Sequence, residues 1–167
     1  MTPLQDTPPA LRAQGLALWT AVAVLAMAVP WLNPVTWGPN PEMVQRLLSV
    51  GCGAVLLVAW VGVGPRVSAR ALAHTLAWGW LLAALLSAGA GVLQYFGAEG
   101  LVPYPWINAS TPGQAYANLR QRNQFASLTS LGLVALLYLA AQHLHQPPRQ
   151  RALRRACLVL ALVVLAL

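Results

Sequence analysis

The chain has 167 residues, of which 58% are apolar and only 8% charged, with a mean hydropathy of +0.61. A soluble domain carries about 25% charged residues, and ten arginines with three carboxylates cannot solvate a globule of this size. A soluble enzyme, a disordered tail and a disulfide-stapled secreted domain are all excluded. What fits is an all-α polytopic transmembrane helical bundle, with residues 1–167 forming a single membrane domain.

A membrane-crossing helix needs about 20 mostly apolar residues. The first such stretch is 15–32, preceded by Arg12. Its end, Ala26-Met27-Ala28, resembles a signal-peptidase site, so a cleaved leader and a retained span are both open readings. The second stretch is 47–64. A short turn with Arg66 and Arg70 leads to the third, 72–96. Ala83, Ser87 and Gly91 repeat there at a spacing of four, a small-residue stripe that lets helices approach closely. His74, beside Arg70, reads as interfacial rather than as a ligand. Gln94, Ser127, Thr129 and Ser130 are further polar exceptions, and hydroxyls of this kind usually bond back to their own helix.

The fourth stretch is 124–141. A fifth begins near 156 and runs to Leu167, about 18 Å of helix against a hydrocarbon core about 30 Å thick. It reads as a span cut short, so the chain is expected to be the N-terminal part of a longer protein. Cys52 and Cys157 lie in different apolar stretches, without metal-ligand spacing, and read as packing residues. No metal or cofactor is expected.

The net charge of +7 is distributed unevenly. All ten basic residues are arginines. Arg12, Arg66, Arg70, Arg149, Arg151, Arg154 and Arg155 fall in alternate connecting segments, against Arg46, Arg120 and Arg122 in the others. The positive-inside bias therefore puts the N-terminus in the cytoplasm and the 97–123 loop outside. Arginines split across two faces of a membrane argue against nucleic-acid binding. No span centre carries an ionisable side chain, which argues against a transporter.

The outer loop contains Asn108-Ala109-Ser110, a short and common glycosylation-acceptor pattern. Next comes Thr111-Pro112-Gly113-Gln114, which has the form of a capping box with proline at the first helical position. A helix is predicted to start there. The run Ala115-Tyr116-Ala117-Asn118-Leu119-Arg120-Gln121-Arg122-Asn123-Gln124-Phe125-Ala126 then leads into the fourth span. Arg120 and Arg122 stand on the side that should be poor in arginine. A guanidinium grips phosphate oxygens bidentately. Asn118, Gln121, Asn123 and Gln124 add amides suited to sugar hydroxyls. Both arginines reach one phosphate only if the backbone there is not helical, because residues two apart on a helix point about 200° from each other. Simple anchoring on lipid headgroups is the competing reading.

This run resembles the N-terminal signature of bacterial O-oligosaccharyltransferases, the protein glycosylation ligases of the O-antigen ligase and polymerase superfamily. The signature has the form Asn-Leu-x-Gln-[Pro/Arg]-Asn-x-[Leu/Phe]-Ala, and Asn118, Leu119, Gln121, Arg122, Asn123, Phe125 and Ala126 fit it. The resemblance implies a multi-pass protein of the bacterial inner membrane. It would take a glycan from undecaprenyl diphosphate on the periplasmic face and pass it to a protein hydroxyl, such as that of a pilin, or to a lipid A core sugar. It gives Arg122, and after it Arg120, the donor diphosphate, and gives Asn118, Gln121 and Asn123 a part in shaping the donor site.

The large catalytic periplasmic loop of such enzymes has no counterpart here. The outer segments offer only Glu42 and Glu99 as carboxylates and no histidine. No catalytic residue is therefore assigned, and the chain alone is expected to be inactive. The alternative is a small non-enzymatic membrane scaffold or assembly partner, in which Arg120 and Arg122 only hold headgroups.

Overall fold

A computed structural model describes residues 9–33, 40–63, 67–119, 121–144, 158–159 and 161–163. Most of the described residues are helical, and none of them is in a strand. Helix α1 spans Pro9–Ala28 and closes in a 3-10 turn, Val29–Trp31; α2 spans Pro41–Val63, α3 Ala69–Tyr95 and α4 Arg122–Leu144. All four helices are long and apolar enough to cross a membrane. They match the four complete stretches expected from hydropathy, and three of them begin several residues earlier, in polar flanks. Of the fifth stretch, residues 158–159 and 161–163 are described and helical, and the rest of it lies outside the described residues.

Helix α3 is the centre of the bundle. Ser68 caps its start, its hydroxyl accepting from the Ala71 N–H at 3.2 Å. Ala83 and Ser87 are fully buried and Gly91 is buried, so the small-residue stripe faces protein rather than lipid. α3 packs most extensively against α4 and next against α1. Where α3 meets α4, Phe125 lies on Gly91: a Cβ built there would come within 2.9 Å of the ring. Where α3 meets α1, Gly79 is covered by Met27 in the same manner, at 3.0 Å from Sδ. Trp31 and Trp80 close that junction edge to face, with ring centroids 5.5 Å apart. Leu128, Leu136 and Leu139 of α4 complete the core.

Helix α2 is peripheral. It leans on α1 and the Val29–Trp31 turn and makes no close approach to α3 or α4. Its attachment is polar as well as apolar. The Gln45 amide donates to the Pro30 carbonyl and accepts from Asn33 Nδ2 at 2.9 Å. The hydroxyls of Thr20, Ser49, Thr75, Ser127, Thr129 and Ser130 bond back to carbonyls three or four residues earlier. This is how hydroxyls are satisfied where water is scarce. His74 is exposed and meets the edge of Trp78. No group of metal-ligating side chains occurs among the described residues.

One expectation is overturned. The Thr111-Pro112-Gly113-Gln114 pattern does not start a helix; it makes a single turn, with the Gln114 N–H on the Thr111 carbonyl at 3.1 Å. Gly113 and Ala117 have φ of +84° and +51°, which no right-handed helix admits. Helix α4 starts only at Arg122.

The Gly91 contact yields a paired prediction. Gly91→Ala forces the Phe125 ring aside and is expected to destabilise the bundle by about 1–3 kcal/mol. Gly89→Ala meets nothing within 4 Å and gains helix propensity, about 1 kcal/mol at most. Thermal unfolding in detergent should drop for the first and hold or rise for the second.

Candidate functional site

The loop between α3 and α4 is long, irregular and nevertheless ordered by two amides. The first is Gln94, in the last turn of α3 and 0% exposed. Its Nε2 donates to the carbonyls of Asn108 (2.8 Å) and Ala117 (2.9 Å). Its Oε1 accepts from the N–H groups of Ala117 (2.7 Å) and Tyr116 (3.2 Å). All four hydrogen-bonding positions of the amide are used. The second is Asn118. Its Oδ1 accepts from the Asn108 N–H at 3.0 Å. Its Nδ2 donates to the carbonyls of Trp106 at 3.0 Å and Leu32 at 3.2 Å. Asn118 therefore ties the loop to the end of α1, and Gln94 ties it to α3.

These bonds explain the failed helix. In a helix the 116 and 117 backbone groups would pair with residues four away. Here a side chain from α3 takes them and holds Ala117 in the left-handed region. Leu119 then drops into the core. The segment 115–119 is thus fixed from both sides.

Beyond it, the chain is open. Gln121, Arg122, Asn123 and Gln124 are exposed at the start of α4. The first three N–H groups of a helix point outward without intrahelical partners, and the first bond here runs from the Phe125 N–H to the Gln121 carbonyl at 3.1 Å. No acidic residue lies in this first turn. Arg122 makes no ion pair among the described residues, and its charge adds to the positive end of the helix dipole. Glu42 is paired with Arg46 at 3.4 Å, and Glu99 lies on the α3 side of the loop, in the 3-10 turn Glu99–Leu101.

Next to this turn is a cleft of about 580 Å³ between α1, α2, α3 and the start of α4. Met27, Trp31, Leu56, Leu76, Trp80 and Leu119 give it apolar walls; Gln45, Ser49 and Gln124 add polar groups. It exists because α2 stands away from α3 and α4. Cys52, a free half-buried thiol, also faces it.

The expected site residues thus divide. Gln121, Arg122 and Asn123 are brought together on an exposed, acid-free turn. Asn118 is directed into the loop, with its amide engaged by backbone. Arg120 lies outside the described residues. In the sequence Gln94 stands out only as a polar exception. A lone amide at the end of an apolar span, just before a long loop, was the available signal for its role.

A sequence model of a family described as protein glycosylation ligase matches residues 115–140. The match begins in the fixed segment, crosses the exposed turn and continues along α4; Gln94 lies outside it. No curated protein and no solved structure matches the chain.

Gln94→Leu removes the clamp while keeping bulk. It leaves up to four buried backbone groups unpaired, at roughly 1–3 kcal/mol each when they cannot reach water. The expected result is a lower unfolding temperature and new protease cleavage between residues 103 and 119. An unchanged digestion pattern would show that the loop does not depend on this amide.

Proposed function

We propose that this chain is the front part of a bacterial inner-membrane glycosylation ligase, and that its contribution is to hold the donor, a glycan on undecaprenyl diphosphate. The observation that carries this reading is a coincidence of place. The segment similar to the ligase family contains an exposed turn whose Arg122 guanidinium has no ion-pair partner among the described residues, open helix N–H groups, amides and no carboxylate, and an apolar cleft lies beside it. A lipid diphosphate needs both halves: anion donors for the head and an apolar trough for the chain.

In this reading Arg122, with Arg120, receives the diphosphate from the periplasmic side. Gln121 and Asn123 offer amides to the sugar or to phosphate oxygens. Asn118 acts through the loop as a positioning residue, keeping the turn where the headgroup arrives. The cleft takes the first isoprene units. As the bond between the sugar and the diphosphate breaks, charge grows on the leaving diphosphate, and a guanidinium bound to it stabilises that charge electrostatically. Arg122 transfers no proton. Activation of the acceptor hydroxyl, of a protein such as a pilin or of a lipid A core sugar, needs a base that neither the paired Glu42 nor the distant Glu99 supplies. No glycan transfer is expected from the chain by itself.

Binding tests the reading directly. The purified chain in nanodiscs is titrated with undecaprenyl diphosphate-linked glycan and, separately, with phosphatidylglycerol. Arg122→Ala should weaken glycolipid binding by roughly 1.5–3 kcal/mol, about 10- to 150-fold, as expected for a lost charge-assisted hydrogen bond. Arg122→Lys should recover only part of it, because an ammonium lacks the bidentate fork. If lysine restores binding fully, and both lipids respond alike, Arg122 is a headgroup anchor and the scaffold reading replaces this one.

A further inference from the structure

The first half of the same loop presents a different surface. Phe96, Leu101, Tyr104 and Trp106 are 75%, 80%, 78% and 63% exposed, and Tyr95 is also exposed. From residue 95 to residue 110 the one ionisable carboxylate is Glu99, and its Oε2 is buried rather than turned to solvent. The segment leaves α3 directly, so it starts where a membrane-spanning helix ends.

Two constraints limit where such a segment can lie. Its backbone is irregular, with turns at 96–97 and 104–105 and a short 3-10 turn at Glu99–Leu101. Lipid-exposed irregular backbone is not tolerated in the hydrocarbon core, because its N–H and C=O groups would lack partners. Its large exposed side chains are apolar or amphipathic, which disfavours full immersion in water. The headgroup layer satisfies both, offering water to the backbone and an apolar boundary to aromatic rings, and Trp and Tyr concentrate there.

We propose that residues 95–106 form an interfacial anchor lying in the headgroup layer of the bilayer, with Phe96, Leu101, Tyr104 and Trp106 directed into lipid. The occupant of this surface is the lipid leaflet into which α3 ends. The anchor is coupled to the rest of the loop. The Gly113 N–H donates to the Tyr95 carbonyl at 2.9 Å, and Asn118 Nδ2 donates to the Trp106 carbonyl. Anchoring at 95–106 therefore sets the depth of Asn118 and of the α4 first turn that follows it. The proposal rests on the membrane-spanning helices and not on the ligase reading, so either can fail without the other.

The test uses the full chain with Cys52→Ala and Cys157→Ser, reconstituted in vesicles of phosphatidylethanolamine and phosphatidylglycerol. Single spin labels are placed at Leu101→Cys, Tyr104→Cys and, as an aqueous reference, at Thr111→Cys, which is exposed in the polar part of the loop. Power saturation compares collision with oxygen, which partitions into lipid, and with a water-soluble nickel chelate. Labels at 101 and 104 should show several-fold lower nickel accessibility than the label at 111, with raised oxygen accessibility. In detergent-free lipid, Trp106→Ser should shift the 104 label towards the aqueous values. Nickel accessibility at 101 and 104 equal to that at 111 overturns the proposal. So does protection at 101 and 104 that appears only when the glycolipid is added, which would make the aromatic surface a sugar platform instead.

Discussion

The loop between α3 and α4 depends on one buried amide. Gln94 sits at the end of a helix that is otherwise apolar or small on its buried face, and burying an unpaired amide there would be costly. The cost is offset because all four of its hydrogen-bonding positions meet backbone groups of the loop. The dependence runs both ways. The loop has no regular structure to absorb the 108, 116 and 117 backbone groups, and the Gln94 side chain bonds no other group among the described residues. In a low-dielectric setting a fully satisfied network of this kind specifies one conformation, and a half-satisfied one is worse than none.

That constraint divides the loop by function. Residues 115–119 are held from α3 by Gln94, from α1 by Asn118 and from the core by Leu119. The next residues, 121–124, are released into an exposed helix start without carboxylates. Rigid support directly beside free polar groups is the arrangement that a binding site needs, since groups held in place lose less freedom when a ligand arrives. The peripheral placement of α2 adds the cleft, and the aromatic limb of the loop adds an attachment to the bilayer.

Much of the fold was legible because membrane insertion imposes one strong rule on sequence, a long apolar stretch for each helix. The four helices and the burial of Ala83, Ser87 and Gly91 followed from hydropathy and a spacing of four. The end of the loop was misread for a physical reason. Thr111-Pro112-Gly113-Gln114 has good local helix chemistry, but the backbone groups that the helix would use next, at 116 and 117, are taken by a side chain 22 and 23 residues earlier, and local pattern carries no trace of that competitor. The partners of Asn118 were likewise out of reach of local pattern: the amide stands beside arginines in sequence, and only the fold reveals that it bonds Leu32, Trp106 and Asn108. Gln121, Arg122 and Asn123 are exposed, because polar residues that no core can use stay at the surface.

The most direct measurement of the central idea, that a clamped segment supports a free anion-binding turn, is hydrogen–deuterium exchange of the chain in nanodiscs, with and without undecaprenyl diphosphate-linked glycan. The account predicts that the amides of Tyr116 and Ala117 exchange as slowly as those in the middle of α3 in both conditions. It also predicts that the amides of residues 122–124 exchange fast alone and become protected when the glycolipid is added. Fast exchange at 116 and 117, or no change at 122–124 under saturating glycolipid, would contradict it.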